Sequence, residues 1–138
     1  MYSISIRRSV ERLMDMEKQE QEYAQRLEET VQNYYRYVDA NEVDHLLDLF
    51  AQDTVYYRGS LTIQGHAALE EFYRHDRIIA KGSHSVSLKV AAPSVVTYGH
   101  FAGELRTGEP VEVDFRDEFV FDGAKIIKRT TTFPAREI

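Results

Sequence analysis

The chain has 138 residues, enough for one domain around one core, and its 17 Lys+Arg against 23 Asp+Glu give a net charge of −6, which disfavours a nucleic-acid partner or an anionic membrane surface. The absence of cysteine excludes disulfides, a thiolate nucleophile and Cys-bound zinc. No apolar run approaches the ~18–20 residues that span a bilayer, and Met1–Arg12 lacks an apolar signal core, so a cytoplasmic protein is expected.

Residues 5–40 contain neither Gly nor Pro and are rich in Glu, Gln, Arg, Leu and Met, which predicts a helix. Leu27, Val31, Tyr34 and Val38 recur at helical spacing as one buried stripe; Ile6, Val10, Leu13 and Met14 form a weaker one that fades across Glu17–Glu22. A second helix is predicted over Val43–Ala51, a strand over Thr54–Arg58 ended by Gly59-Ser60, a short extended piece at Leu61–Ile63, and a third helix over Ala67–Ile79 closed by Gly82. The period then becomes two, with His84, Val86, Leu88 and Val90 alternating with serines and Lys89. Three more strands follow over Val95–Thr107, Val111–Asp122 and Lys125–Phe133, joined at the turn signals Gly108-Glu109 and Asp122-Gly123. This order predicts an α+β fold in which three N-terminal helices pack on a curled antiparallel sheet. Residues 1–20 read as a helical extension and 21–138 as a single domain.

Asp117 stands out on the strand that carries Val111, Val113, Phe115, Phe119 and Phe121 on the same face. A carboxyl group on a buried face costs several kcal/mol unless it is paired, hydrogen-bonded or protonated, so Asp117 is either a working acid or a structural anchor. A two-residue Gly108-Glu109 loop would pair Thr107 with Pro110 and set His100 across from Asp117, on a face shared with Val96, Tyr98, Ala102 and Glu104. A three-residue bulged loop would shift that register and remove the pairing. His84 joins the same apolar side from the next strand, and a His–Asp pair is the usual way to fix an imidazole tautomer. Either Lys128 or Arg129 lies opposite Asp117, depending on the last turn; a cation there would keep the carboxyl ionised, whereas an apolar site would keep it protonated. His84, His100 and Asp117 could ligate a metal but lack the close His pair of typical zinc or iron sites, so no metal is expected.

The element order resembles the nuclear transport factor 2-like, cystatin-like cone fold, and within it the SnoaL-like branch of polyketide cyclases, isomerases and dehydratases. The resemblance runs from Tyr34 to Phe133 and is carried by Asp48-Leu49-Phe50-Ala51-Gln52-Asp53-Thr54-Val55, by Ile63-Gln64-Gly65-His66-Ala67-Ala68-Leu69-Glu70-Glu71-Phe72, and by Asp117-Glu118-Phe119-Val120-Phe121-Asp122-Gly123. Compared with ketosteroid isomerases, Tyr34 and Asp117 match the tyrosine and protonated aspartate that bind the oxyanion, while the general-base position falls at or near Arg58. Compared with scytalone dehydratases, Asp39, Tyr57, His84 and His100 match the aspartate, a water-holding tyrosine and the two histidines. Bile-acid dehydratases of this fold use a Tyr, Asp and His that Tyr34, Asp39 and His84 resemble.

The resemblance implies a cofactor-free lyase or isomerase acting on a small cyclic hydroxy-ketone or enone. His84 or His100 would remove a proton α to a carbonyl, with Asp39 orienting His100. Tyr34 or Tyr57 would hydrogen-bond the enolate oxygen, with Asp117 helping if protonated. Tyr98, Phe115, Phe119, Arg58 and Arg129 would line the substrate side. The expected partner is a small apolar or aromatic hydroxy-ketone. The alternative is a non-catalytic ligand-binding or dimerisation module of the same fold. A long helix is marginal without packing, so the N-terminal extension points to a homodimer.

Overall fold

The computed structural model describes residues 2–138. Helix α1 spans Tyr2–Asp39 without interruption, as the lack of Gly and Pro implies. Residues 4–22 are exposed throughout, while Leu27, Val31, Tyr34, Tyr35 and Val38 are buried against the sheet. A Schellman motif ends the helix: Asn41 takes a left-handed φ of 56°, its N–H bonds the Val38 carbonyl at 3.1 Å, and the Glu42 N–H bonds the Tyr37 carbonyl at 2.9 Å. That stop leaves Asp39 in the last turn. No helix among the described residues is long and apolar enough to cross a membrane.

Helix α2 covers Val43–Leu47, shorter than expected, because strand β1 already begins at Phe50 and runs to Arg58. Strand β2 is Leu61–Gln64 and helix α3 is His66–Glu71. The third predicted helix does not continue to Ile79: it ends in a π-helical turn at Phe72–Asp76, and Ile79 opens strand β3, which reaches Ala91. Gly82 therefore lies within a strand and closes no helix; a Cβ there would meet the Phe101 ring at 2.3 Å. Strands β4 (Ser94–Leu105), β5 (Pro110–Asp122) and β6 (Lys125–Thr132) complete one six-stranded sheet in the order β2-β1-β6-β5-β4-β3. Every neighbouring pair is antiparallel except β1 with β6, which is parallel.

Two local features set the register. The β4–β5 connection is the three-residue loop Arg106-Thr107-Gly108: the Leu105 N–H bonds Glu109 O at 2.8 Å, and Gly108 sits at φ 90°, open to a side chain only with strain. Glu104 pairs with Pro110, so Asp117 lies opposite Thr97 and His100 opposite Asp114. This is three residues from the pairing expected of a two-residue loop, and an odd shift reverses which β4 residues face inward. The core face of β4 is Val95, Thr97, Phe101 and Leu105, with Tyr98 and His100 on the outside. On β6, the pairing slips between Ile126, which faces Phe121, and Lys128, which faces Val120. Ile127 is the extra residue of that bulge, and it turns Arg129 and Thr131 into the core.

Candidate active site

Two polar groups occupy the inner side of the cone. The first surrounds Asp117, whose burial the strand pattern implied and which is fully buried. Thr131 is its direct cross-strand partner, and Arg129 lies two residues nearer the turn on the same face. Arg129, and not Lys128, supplies the cation: its Nη2 donates to Asp117 Oδ2 at 2.9 Å. The Tyr35 hydroxyl donates to the same oxygen at 2.5 Å and pairs with Thr97 Oγ1 at 2.6 Å, and Thr131 donates to Oδ1. The Arg129 guanidinium is sandwiched between the Tyr34 and Tyr56 rings, 4.4 Å from each centroid. Its Nη1 donates to Tyr34 and, at 2.9 Å, to Tyr73, whose hydroxyls also bond each other. Tyr56 pairs with Thr131 at 2.8 Å and accepts from Arg58 Nη1 at 2.7 Å. Burial pushes the Tyr34 and Tyr35 phenols well above their ordinary range and the Tyr73 phenol above it, so each is a neutral hydroxyl. Asp117 thus receives three donors, and within this cluster the Arg129 Nε is left without a partner among the described residues.

The second group is smaller. Asp39, held by the end of α1, accepts from the His84 backbone N–H at 2.9 Å and contacts its Nδ1 at 2.5 Å. A carboxylate needs a donor, so Nδ1 carries the proton and Nε2 keeps its lone pair. The His84 side chain retains 10% exposure, and its ring rests among Tyr35, Phe101 and Phe115 at centroid distances of 5.3, 4.7 and 5.5 Å. Burial pushes the His84 pKa below 6.5, against the opposing pull of Asp39, which leaves the imidazole neutral near pH 7.

His84 borders an inner cavity of about 10 Å³, room for one water at most. Arg58, Arg129, Phe115, Phe133 and Ile138 share its lining. The closing segment is anchored at two points. Arg58 Nε donates to Ile138 O at 2.8 Å, and Glu137 accepts from the Ser60 backbone N–H and hydroxyl at 2.9 and 2.8 Å.

The structure therefore brings together Asp39, His84, Phe115, Arg58 and Arg129, with Tyr34, Asp117 and Phe119 in the packed layer behind. Three of the expected site residues lie elsewhere. His100 is exposed on the outer face, bonded to Asp114 at 2.8 Å and Glu112 at 3.2 Å, because the three-residue loop reversed its strand. Tyr98 is 58% exposed for the same reason. Tyr57 is 41% exposed because β1 turns Thr54, Tyr56 and Arg58 inward. Asp39 orients His84 and does not reach His100. Sequence reasoning missed Tyr35 as the donor to Asp117, and also Tyr56, Tyr73, Thr97 and Thr131.

A family model for the SnoaL-like domain matches residues 31–129. No curated protein matches. Among solved structures, a candidate polyketide cyclase from Xanthomonas campestris pv. campestris superposes with a TM-score of 0.73 at 17% identity, covering 79% of this chain and 90% of that one. An NTF2-like protein of unknown function from Burkholderia pseudomallei gives 0.72 at 17% identity, over 78% and 90% of the two chains. An epoxide hydrolase from M. tuberculosis, described as LEH-like, gives 0.68 at 15% identity, over 76% and 80%. At these identities the superpositions establish the fold alone. With the family model spanning most of the chain and the helix-on-curled-sheet architecture shared with these structures, the chain belongs to the SnoaL-like domain family, within the NTF2-like fold.

Proposed function

We propose that the protein is a cofactor-free acid–base enzyme of the lyase or isomerase type, acting on a small cyclic hydroxy-ketone or enone. The observation that carries this reading is the His84–Asp39 pair, a neutral imidazole with a fixed tautomer and an unpartnered Nε2 beside the inner cavity. His84 takes the proton α to the carbonyl through Nε2, and Asp39 steadies the imidazolium that forms. Arg58 is the group placed to receive the developing enolate oxygen, since one of its donors is held only by the Ile138 backbone oxygen. Substrate enters when the Phe133–Ile138 segment lifts and that donor is released. Asp117 and Tyr34 act at one remove, by holding the Arg129 side of the cavity.

The test is a turnover screen on cyclic hydroxy-ketones and enones. His84→Phe should fold normally and lose roughly 10²–10⁴-fold in kcat/KM. Unchanged turnover would remove His84 from the chemistry.

A second reading, a non-catalytic assembly module, is favoured by the closed cavity and by the apolar side chains left in solvent along α1. Ile6, Val10, Leu13 and Met14 are 63, 47, 59 and 63% exposed. A second copy of the chain is the simplest cover for them. If light scattering gives the same mass with and without residues 1–20, the extension has no part in assembly.

A further inference from the structure

A separate cavity of about 450 Å³ opens on the other side of Asp39, between the end of α1, the π-helical turn and the start of β3. Four basic side chains line it, Arg74, Arg77, Lys81 and Arg106, in a chain whose net charge is −6. Two of them are already neutralised. Arg74 pairs with Asp44 at 2.5 Å and Glu70 at 3.1 Å, and Lys81 with Glu104 at 3.4 Å. The other two are not. Arg106 is positioned by the carbonyl oxygens of His75 and Arg74, at 2.8 and 3.4 Å, and meets no carboxylate among the described residues. The Arg77 guanidinium has no hydrogen-bond or ion-pair partner among them; it rests 5.9 Å from the Tyr73 ring, and its Nε is buried and unsatisfied. The acid on this wall, Asp39, is occupied by His84.

A partly buried guanidinium without a counter-ion is costly, and an unpaired buried N–H costs roughly 1–3 kcal/mol. Arginine cannot relieve that cost by losing its proton. A ligand oxyanion can, through two-pronged hydrogen bonds that fit carboxylate and phosphate alike. Val43, Ile79 and Phe101 supply apolar wall beside the charged one. We propose that this cavity binds a small organic anion, whose carboxylate or phosphate group is taken by Arg77 and Arg106 and whose apolar body lies on Val43, Ile79 and Phe101. The site stands independently of the chemistry assigned to His84, and its binding is read without turnover.

Calorimetric titration of the full chain with benzoate, phenyl phosphate and neutral benzyl alcohol tests this. At least one anion should bind saturably and weaken with added salt, while benzyl alcohol should not bind. Benzoate alone identifies a carboxylate site, and phenyl phosphate alone a phosphate-ester site. Arg77→Met should weaken binding at least tenfold, with Arg77→Lys recovering part of it. Arg106→Met provides an independent loss should Arg77→Met fail to fold. If neither anion binds, if benzyl alcohol binds equally well, or if the folded methionine variants match the parent chain, the proposal is overturned.

Discussion

The Asp117 cluster and the Asp39–His84 pair are both carboxylates engaged on the inner side of one sheet, yet they differ in how completely they are satisfied. Asp117 is fully buried and takes donors from Arg129, Tyr35 and Thr131, which are themselves tied to Tyr34, Tyr56, Tyr73 and Thr97. Asp39 has a quarter of its side chain exposed and fixes one ring nitrogen of His84, while the other has no partner among the described residues and lies beside a cavity. A carboxylate that already holds three donors from buried partners is largely satisfied, and such a network contributes to a unique core. An open one is poised to exchange a proton. Burial of an acid, taken alone, therefore does not separate an anchored carboxylate such as Asp117 from one that borders open space such as Asp39.

The largest effect that would break this comparison lies in the closed cluster. Arg129→Met leaves Asp117 buried without its cation and should cost about 3–5 kcal/mol of stability, read by urea unfolding. A loss below about 1 kcal/mol would mean that water reaches Asp117 and that the network is not closed. A smaller effect follows from the depressed His84 pKa. The unfolded chain takes up a proton at His84 near pH 6.5, and the native chain only lower. The His84 contribution to stability is thus complete above that range and is lost as the pH falls through the native pKa. The stability advantage of the parent chain over His84→Phe should shrink on acidification below pH 6.5; an advantage that grows would reverse the assigned sign. His100 titrates the other way, raised by Asp114 and Glu112 on the exposed face, and is common to both chains. The smallest effect is His100→Ala, which should change stability by no more than about 0.5 kcal/mol and leave turnover intact.

Much of the cone was legible in the sequence because it rests on periodicity. The α1 stripe Leu27, Val31, Tyr34, Val38 and the β5 face around Asp117 are buried as their spacing implies. Register was not legible in the same way, because a single turn residue decides it. Gly108 builds a three-residue loop where Gly108-Glu109 also reads as a two-residue one. The β4 pattern held a usable signal: Val95, Phe101 and Leu105 share the odd positions with Gly99 and Gly103, whose missing side chains make room for the Phe115 and Phe101 rings. Glycines lower the apparent hydrophobicity of a buried face, so this signal did not override the two-residue loop that turned the even series with Tyr98 and His100 inward. The choice of Arg129 over Lys128 likewise rests on the Ile127 bulge, which no composition cue marks. The His84–Asp39 contact joins residues 45 apart through the Schellman stop at Asn41, a tertiary fact that local pattern does not show; the family resemblance named both residues but paired Asp39 with His100.

The most direct test of His84 as the poised base is an NMR titration of its imidazole nitrogens, in the parent chain and in Asp39→Asn. The expected result is a neutral ring at pH 7 with the proton on Nδ1, a pKa below 6.5, and loss of the fixed tautomer in Asp39→Asn. A pKa at or above 6.5 in the parent chain, or a proton on Nε2, would contradict the assignment.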